Sequence, residues 1–303
     1  MVSQLALEKW PGIISTVTIG TKNEVQIGGQ NSLPLLFPEG NIPHKPRIAF
    51  EIWDMPAQEW PEELMQAYGK VLNDPFAWAD KCVNVYKAEL LCLKMQSTHP
   101  DLGNKTASEA AKFVSTLLSK IKVPLIIIGS GDDAKDNLIL PACSEAAKQE
   151  HCLIGCAVQD NYKTLVASVL ADGHNIIAES PIDVNIAKQL NILISDMGLS
   201  LARIVMNPTI GALGYGLEYA YSIMERARLA ALSGDKTLAM PFICFVGQEA
   251  WKTKEAKTSP QQGIIWEAIT ATSLIQSGAD LLVMRHPKAA EKVSNYIERL
   301  FKK

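Results

Sequence analysis

The sequence predicts an α/β protein: a (β/α)8 TIM barrel with an N-terminal β-hairpin extension. Three observations predict it. Eight short runs rich in β-branched and aliphatic residues recur along the chain. Long helical patterns separate them at about thirty-residue spacing, as in successive βαβ units. The runs are near-continuously apolar rather than alternating, as expected of parallel strands buried on both faces. Eight units are the count of a closed barrel. A doubly wound open sheet is the competing arrangement at this stage.

The elements follow in order. Ser15-Thr-Val-Thr-Ile19 and Glu24-Val-Gln-Ile27 alternate in polarity around Gly20-Thr-Lys-Asn23, a hairpin signal. A Pro- and Gly-rich loop runs from Gly28 to Pro46. The hairpin and loop, residues 1–45, form an extension expected to cap one end of a barrel spanning 46–303. The barrel strands are expected at Arg47–Trp53, Ala88–Lys94, Pro124–Ile128, Cys152–Val158, Asn175–Ala178, Ala202–Met206, Phe242–Val246 and Asp280–Met284. Helical patterns cover Ser108–Lys120, Asp136–Gln149, Tyr162–Ala171, Val184–Met197, Leu217–Leu232, Gln262–Ser277 and Lys288–Phe301. The passage from Pro56 to Val85 contains Pro61 and Pro75, which predicts broken helices.

Bulk properties exclude several classes. The chain has 303 residues, 48% of them apolar and 20% charged, an ordinary globular composition. A net charge of −3 without a dense basic block argues against a nucleic-acid partner. No apolar run reaches the length of a membrane span. Met1 to Trp10 lacks a charged start followed by an apolar core, so a cytoplasmic protein without a signal peptide is expected. The six cysteines form no Cys-x-x-Cys, and most lie in apolar runs where a free thiol behaves as a small hydrophobe. Cys152 and Cys156, four apart on a predicted strand, are expected to point the same way.

In a barrel the functional groups gather at the C-terminal strand ends. Those ends carry Glu51, Trp53 and Asp54; Lys94 and Gln96; Gly129-Ser-Gly-Asp-Asp133; Gln159-Asp-Asn161; Glu179-Ser180; Asn207-Pro-Thr209; Gly247-Gln-Glu-Ala-Trp251; and Arg285-His-Pro287. Helix capping and turn chemistry account for Asp132 or Asp133, for Ser180-Pro181 opening a helix, and for Asn207 before Pro208. Glu179, Gln248 and Arg285 resist that explanation, because a barrel mouth is a costly place for charge. The richest stretch is Asn207-Pro-Thr-Ile-Gly-Ala-Leu-Gly-Tyr-Gly216, a Gly-rich loop between strand and long helix. Gly211, Gly214 and Gly216 allow positive φ and close approach of a ligand to the main chain. A plain connector has the same composition.

Familiar catalytic signatures are missing. There is no Walker loop, no Gly-x-Ser-x-Gly elbow and no His-Glu-x-x-His, and Gly211-Ala-Leu-Gly-Tyr-Gly216 does not have dinucleotide spacing. The five histidines do not pair at metal-ligand spacing; His286 alone falls in the mouth, where a structural role beside Pro287 suffices. Asp172-Gly-His174 imitates the start of the Asp-x-His-x-x-Gly motif that offers histidine to cobalt. Ile177 replaces the glycine, and His174 precedes its strand, at the wrong end of the barrel.

Several blocks resemble the small subunit of the corrinoid iron–sulfur protein, equally the delta subunit family of acetyl-CoA decarbonylase/synthase. They are Asn207 to Tyr219 with Ser222-Ile-Met-Glu-Arg226, Gly247-Gln-Glu-Ala-Trp-Lys-Thr-Lys-Glu-Ala-Lys257, Leu282-Val-Met-Arg-His-Pro287 and Phe50-Glu-Ile-Trp-Asp54. The likeness covers nearly the whole chain. That family often has Asp where this chain has Asn207.

The resemblance implies a methyl carrier of the reductive acetyl-CoA pathway, used by anaerobes in carbon fixation. The small subunit is then a TIM barrel related to pterin-dependent methyltransferases. Its heterodimer partner is a large subunit holding a [4Fe-4S] cluster, and a corrinoid (cobalamin) lies between the two. A methyltetrahydrofolate methyltransferase supplies the methyl group and acetyl-CoA synthase takes it. No catalytic residue and no metal ligand is assigned to this chain. The corrinoid-lining candidates are Asn207, Thr209, Gly211, Gly214, Tyr215 and Gly216, with Gln159, Gln248, Trp251 and Arg285 beside them. Two other readings compete: a stand-alone pterin methyltransferase using Glu51, Asp54 or Asn207, and a non-catalytic docking scaffold.

Overall fold

A computed structural model describes residues 7–57 and 60–302. Strands β1 (Thr16–Ile19) and β2 (Val25–Gly28) pair antiparallel as a separate hairpin. Eight strands then form a closed parallel barrel: β3 (Arg47–Trp53), β4 (Leu90–Lys94), β5 (Leu125–Ile128), β6 (Leu153–Ala157), β7 (Asn175–Glu179), β8 (Ile204–Asn207), β9 (Phe242–Cys244) and β10 (Ala279–Met284). β10 pairs with β3 to close it, Met284 opposite Phe50. The barrel expected from eight buried runs is therefore present, and the open sheet is excluded.

Helices form the outer layer. The broken passage resolves into α1 (Glu62–Tyr68), a 3-10 turn at Gly69–Asn73 and α2 (Pro75–Asn84), with Pro61 and Pro75 at the two helix starts. Next come α3 (Ala107–Lys120), α4 (Asp133–Ala146), α5 (Tyr162–Asp172), α6 (Val184–Asp196) and α7 (Leu217–Leu232). Two short helices the sequence did not predict, α8 (Val246–Ala250) and α9 (Lys254–Thr258), precede α10 (Pro260–Gln276) and α11 (Pro287–Leu300). α4 starts on the Asp132 cap, as anticipated. α6 departs from expectation: Asp183, not Ser180-Pro181, opens it by accepting from Asn185 and Ile186 N–H, and Ser180 is buried behind it.

Side-chain alternation along each strand divides the core in two. Ala49, Cys92, Ile126, Leu153, Ile177, Val205, Ile243 and Val283 face the barrel interior, where Val17, Ile19, Val25 and Ile27 of the hairpin join them. Ile52, Leu93, Ile127, Ile154, Ile176, Met206 and Met284 face outward under the helices. Asn175 Nδ2 donates to the Thr18 carbonyl and Gly20 N–H to that of His151, so the hairpin plugs the N-terminal end of the barrel. Function is left to the opposite end.

One register feature corrects an expectation. The β6–β7 ladder shifts between Ile154 and Ala157, and both of those side chains face outward. The extra residue turns Cys156 inward, while Cys152 packs outside, so the two thiols point to opposite sides.

Candidate functional site

Continuing the inward alternation by one step defines the mouth. Two residues past Ala49 is Glu51, past Cys92 is Lys94, past Ile177 is Glu179, past Val205 is Asn207, and past Val283 is Arg285. Polar and charged groups therefore gather at the C-terminal opening, above an apolar layer of the barrel interior.

On the β3–β10 side, Glu51 is fully buried. Arg285 reaches it through Nε (3.0 Å) and a terminal guanidinium nitrogen (2.7 Å), and Trp53 Nε1 donates to it at 2.7 Å. Burial drives the Glu51 carboxyl upward, but Arg285, Lys94 and the Trp53 hydrogen bond together hold it below the usual carboxylate value. The guanidinium carbon of Arg285 lies 5.2 Å from the Trp60 ring and 5.8 Å from the Trp53 ring, and the Tyr68 hydroxyl donates to the Arg285 carbonyl at 2.6 Å. Lys94 Nζ lies 6.0 Å from the Trp53 ring, its ammonium lowered mainly by burial.

Behind Arg285 sits Glu267, which the sequence reading missed. It belongs to α10, outside the barrel, and is fully buried. Its Oε1 accepts Arg285 N–H at 2.5 Å; its Oε2 accepts His286 N–H at 3.1 Å and Trp251 Nε1–H at 2.8 Å. Burial pushes its carboxyl up to about 7 despite these donors. His286 stacks on Trp251 with centroids 5.8 Å apart, and its Nδ1 caps α11 by accepting Lys288 N–H. Burial lowers this imidazole to about 4, so it is neutral as the cap requires. A Cβ on Gly247 would lie 2.7 Å from both Arg285 N and Cγ, which explains glycine there. The one local signal for Glu267 was its being the only charged residue of α10.

On the β6–β8 side, Asn207 Nδ2 donates to Glu179 at 2.6 Å, and Asn207 Oδ1 accepts Thr209 N–H at 3.2 Å. Thr209 has φ +53°, a strained conformation for a β-branched residue; its hydroxyl donates to the Ser180 carbonyl at 2.6 Å and holds it there. Glu179, Ser180 and Thr209 border a cavity of about 400 Å³ with Asp133, Gln159 and Asp160 on the polar side and Ile186, Leu190 and Leu193 on the other.

The rest of the glycine loop turns away from that cavity. Gly211 is required because a Cβ would lie 2.4 Å from the Tyr215 carbonyl oxygen. Leu213 N–H donates to Thr270 and its carbonyl accepts Trp266 Nε1–H, fixing the loop on α10. Tyr215 hydroxyl donates to Glu255 at 2.9 Å, and Gly216 caps α7 at φ +99°. Gly214 borders a second cavity, about 360 Å³, between α7 and α10. The predicted residues thus fall in three places: Thr209 and Gln159 at the first cavity, with Asn207 hydrogen-bonded to its Glu179 and Thr209 walls; Trp251 and Arg285 across Glu267; Gly211, Gly214, Tyr215 and Gly216 on the rim. Gln248, partly buried, donates to its neighbour Glu249.

A larger groove, about 770 Å³, lies on the outer flank between α11 and the α1–α2 passage. Two of its basic side chains are engaged locally, Arg47 with Glu89 at 2.7 Å and Lys45 with Glu298. It lies along β3 and, of the strand-end residues, is reached by His286 and Pro287 alone, so the mouth remains the candidate site. At the other end of the barrel, His174 is fully buried: Nδ1 accepts Cys152 N–H and Nε2 meets the Ser144 carbonyl at 2.9 Å. Both ring nitrogens are occupied, which accounts for the cobalt-motif imitation as core structure.

Comparison with known proteins decides the family. Residues 16–295 match the family described as CO dehydrogenase/acetyl-CoA synthase delta subunit. The chain belongs to this family. It is 36% identical over 295 residues to the acetyl-CoA decarbonylase/synthase complex subunit delta of Methanocaldococcus jannaschii, covering 93% of this chain and 72% of that protein. Against the Methanothermobacter thermautotrophicus subunit it is 36% identical, covering 93% and 74%. Among solved structures, the dihydropteroate synthase of Xanthomonas albilineans with 4-aminobenzoic acid superposes with TM-score 0.60 at 12% identity, over 89% of this chain and 99% of that one. That likeness carries the barrel fold alone. Among the described residues no helix is long and apolar enough to cross a membrane, and no cluster of three or more His, Cys, Asp or Glu is arranged to hold a metal ion.

Proposed function

We propose that this chain is the barrel subunit of a cytoplasmic corrinoid protein. It pairs with a large subunit that carries the [4Fe-4S] cluster, and with it encloses a corrinoid at the barrel mouth. Family membership over residues 16–295 is the observation that carries the reading. When bound, the corrinoid supplies the cobalt that takes a methyl group from a methyltetrahydrofolate methyltransferase and yields it to acetyl-CoA synthase.

The residues at the mouth fit such a group. A corrinoid is edged with primary amides, each both donor and acceptor. Trp60 Nε1 and Gln96 Oε1, after β3 and β4, are buried and without partners among the described residues: one donor and one acceptor. Asn207, Thr209, Gln159 and the rim around Gly211, Gly214, Tyr215 and Gly216 meet the amides on the other side. Trp251, Gln248 and Arg285 shape the wall behind. The protein's part is to orient the ring and keep water from its face. Co-expression with the large subunit, followed by cobalt analysis and a visible spectrum, tests this. The expected result is a heterodimer with a corrinoid spectrum; a corrinoid fully retained by the large subunit alone overturns it.

A further inference from the structure

We propose that Glu267 is the positioning residue of the mouth: its carboxylate fixes Arg285 and Trp251, and a proton taken up there loosens both. The inference rests on the corrinoid reading only for its consequence, since the positioning itself belongs to this chain.

The geometry is specific. One buried carboxylate on α10 gathers N–H donors from two other elements: the Arg285 and His286 backbone where β10 passes into α11, and the Trp251 indole after α8. The Arg285 backbone anchor sets where its guanidinium leaves the strand, and the guanidinium then closes on Glu51. Two glycines make room for the arrangement. Gly247 lets α8 approach Arg285, and a Cβ on Gly263 would lie 2.5 Å from the Trp251 ring. A carboxylate accepting only N–H groups is used in its ionised form, because charge-assisted bonds are roughly twice as strong as neutral ones. Protonation weakens all of them and introduces an O–H with no acceptor in this cage.

Burial opposes the ionised form, so the group titrates close to neutrality, at about 7. The charged and titratable groups facing it are few. From β10 and α11 they are Arg285, which favours the anion, and His286, neutral well below this range. From α1 there is the Tyr68 hydroxyl, held protonated by burial. From β3 there is Glu51, already matched by Arg285. Tyr68 is moved above this range and His286 and Glu51 below it, so a transition there reports Glu267.

The test follows the tryptophan near-ultraviolet circular dichroism of the whole chain from pH 5.5 to 8.5, for the native protein, Glu267→Gln and Trp251→Phe. The native protein is expected to show one transition near pH 7. Glu267→Gln abolishes it. Trp251→Phe removes a donor to the anion and moves the midpoint, read there through the Trp53 and Trp60 indoles that flank Arg285, upward, an effect that a merely structural role does not produce. Far-ultraviolet spectra confirm that each variant keeps the barrel. A native transition retained in Glu267→Gln, or a Trp251→Phe midpoint that stays or falls, overturns the proposal. Cobalt retention by the reconstituted heterodimer, measured across the same pH range, separates the two readings. If retention follows the optical transition, both stand. If the transition is present and retention is flat, positioning stands and the placement of the corrinoid at this mouth fails.

Discussion

Removing Glu51 alone should be far more damaging than removing Glu51 and Arg285 together. In Glu51→Ala the Arg285 guanidinium stays where it is, 8% exposed and flanked by the Trp53 and Trp60 rings, but loses both hydrogen bonds to its carboxylate. Stranding one member of a buried ion pair costs about 3–5 kcal/mol. An unfolding entropy of roughly 2.1 cal/mol/K per residue over 303 residues is about 0.6 kcal/mol/K, so the melting temperature falls by about 5–8 °C. Glu51→Leu with Arg285→Met replaces the pair by apolar groups of similar volume and should return to within about 1 kcal/mol of the native protein. The Glu51 carboxyl is held below its ordinary value, so the pair's contribution is present above about pH 4.5 and is lost as pH falls through the depressed value. The single-variant penalty must therefore shrink in acid. Urea unfolding at pH 7 and pH 3.5 measures all of this. A single variant losing under about 1 kcal/mol at neutral pH, or a double variant no better than the single, refutes the reasoning.

Three other outcomes are expected. Gly214 has open space around its missing Cβ but sits at φ +77°, so Gly214→Trp should keep the barrel at a cost of about 1–2 kcal/mol while lowering the cobalt content of the reconstituted heterodimer by obstructing the rim; unchanged cobalt sinks the rim assignment. His286 is lowered to about 4 from 6.5 by burial and then by Lys288, so its contribution is present above pH 6.5 and is lost as pH falls toward 4. His286→Asn, which keeps a helix cap, should therefore lose less stability than the native protein between those pH values in denaturant titrations. The Cys156 thiol is raised by burial first and by Glu179 next, so Glu179→Gln should speed its alkylation by iodoacetamide while Cys92 stays unreactive, as read by peptide mass spectrometry.

The barrel was legible because its strands are buried on both faces. Runs such as Leu125-Ile-Ile-Ile128 have no polar side to blur, and only their ends moved by a residue or two. α8 and α9 escaped notice because five residues are too few for a helical period to show against loop composition. The inward turn of Cys156 depends on a register shift set by pairing with β7, which no local pattern encodes. Strand-end logic brought Arg285 and Trp251 forward, and both do converge. It could not bring Glu267, which lies on a helix and reaches the mouth from behind, 16 to 19 residues from its partners. The glycine loop was readable as composition but not as geometry: Gly211 serves the loop's own turn, while Thr209, with no glycine freedom at all, holds the positive φ beside the cavity.

Glu267 and His286 are neighbours whose linkages oppose each other. Glu267, raised to about 7 from 4.5, binds its proton more tightly in the fold, so its contribution is present below pH 4.5 and lost as pH rises through 7. His286 contributes above 6.5 and loses that contribution toward 4. Across the window between, a fall in pH makes one term more favourable and the other less so. Global stability therefore changes little from this pair, while the charge at the back of the mouth changes from −1 to 0 as Glu267 takes up its proton. A device that must alter its grip on a ligand near neutrality without approaching unfolding needs this combination. The two faces of the mouth also differ in kind: Glu51 and Arg285 neutralise each other in place, whereas Glu179 is answered by the neutral amide of Asn207. An amide-edged, nearly neutral ring demands no counter-charge from such a surface. Its retention should then respond to pH through Glu267 far more than to salt, because the buried Glu51–Arg285 pair is screened little.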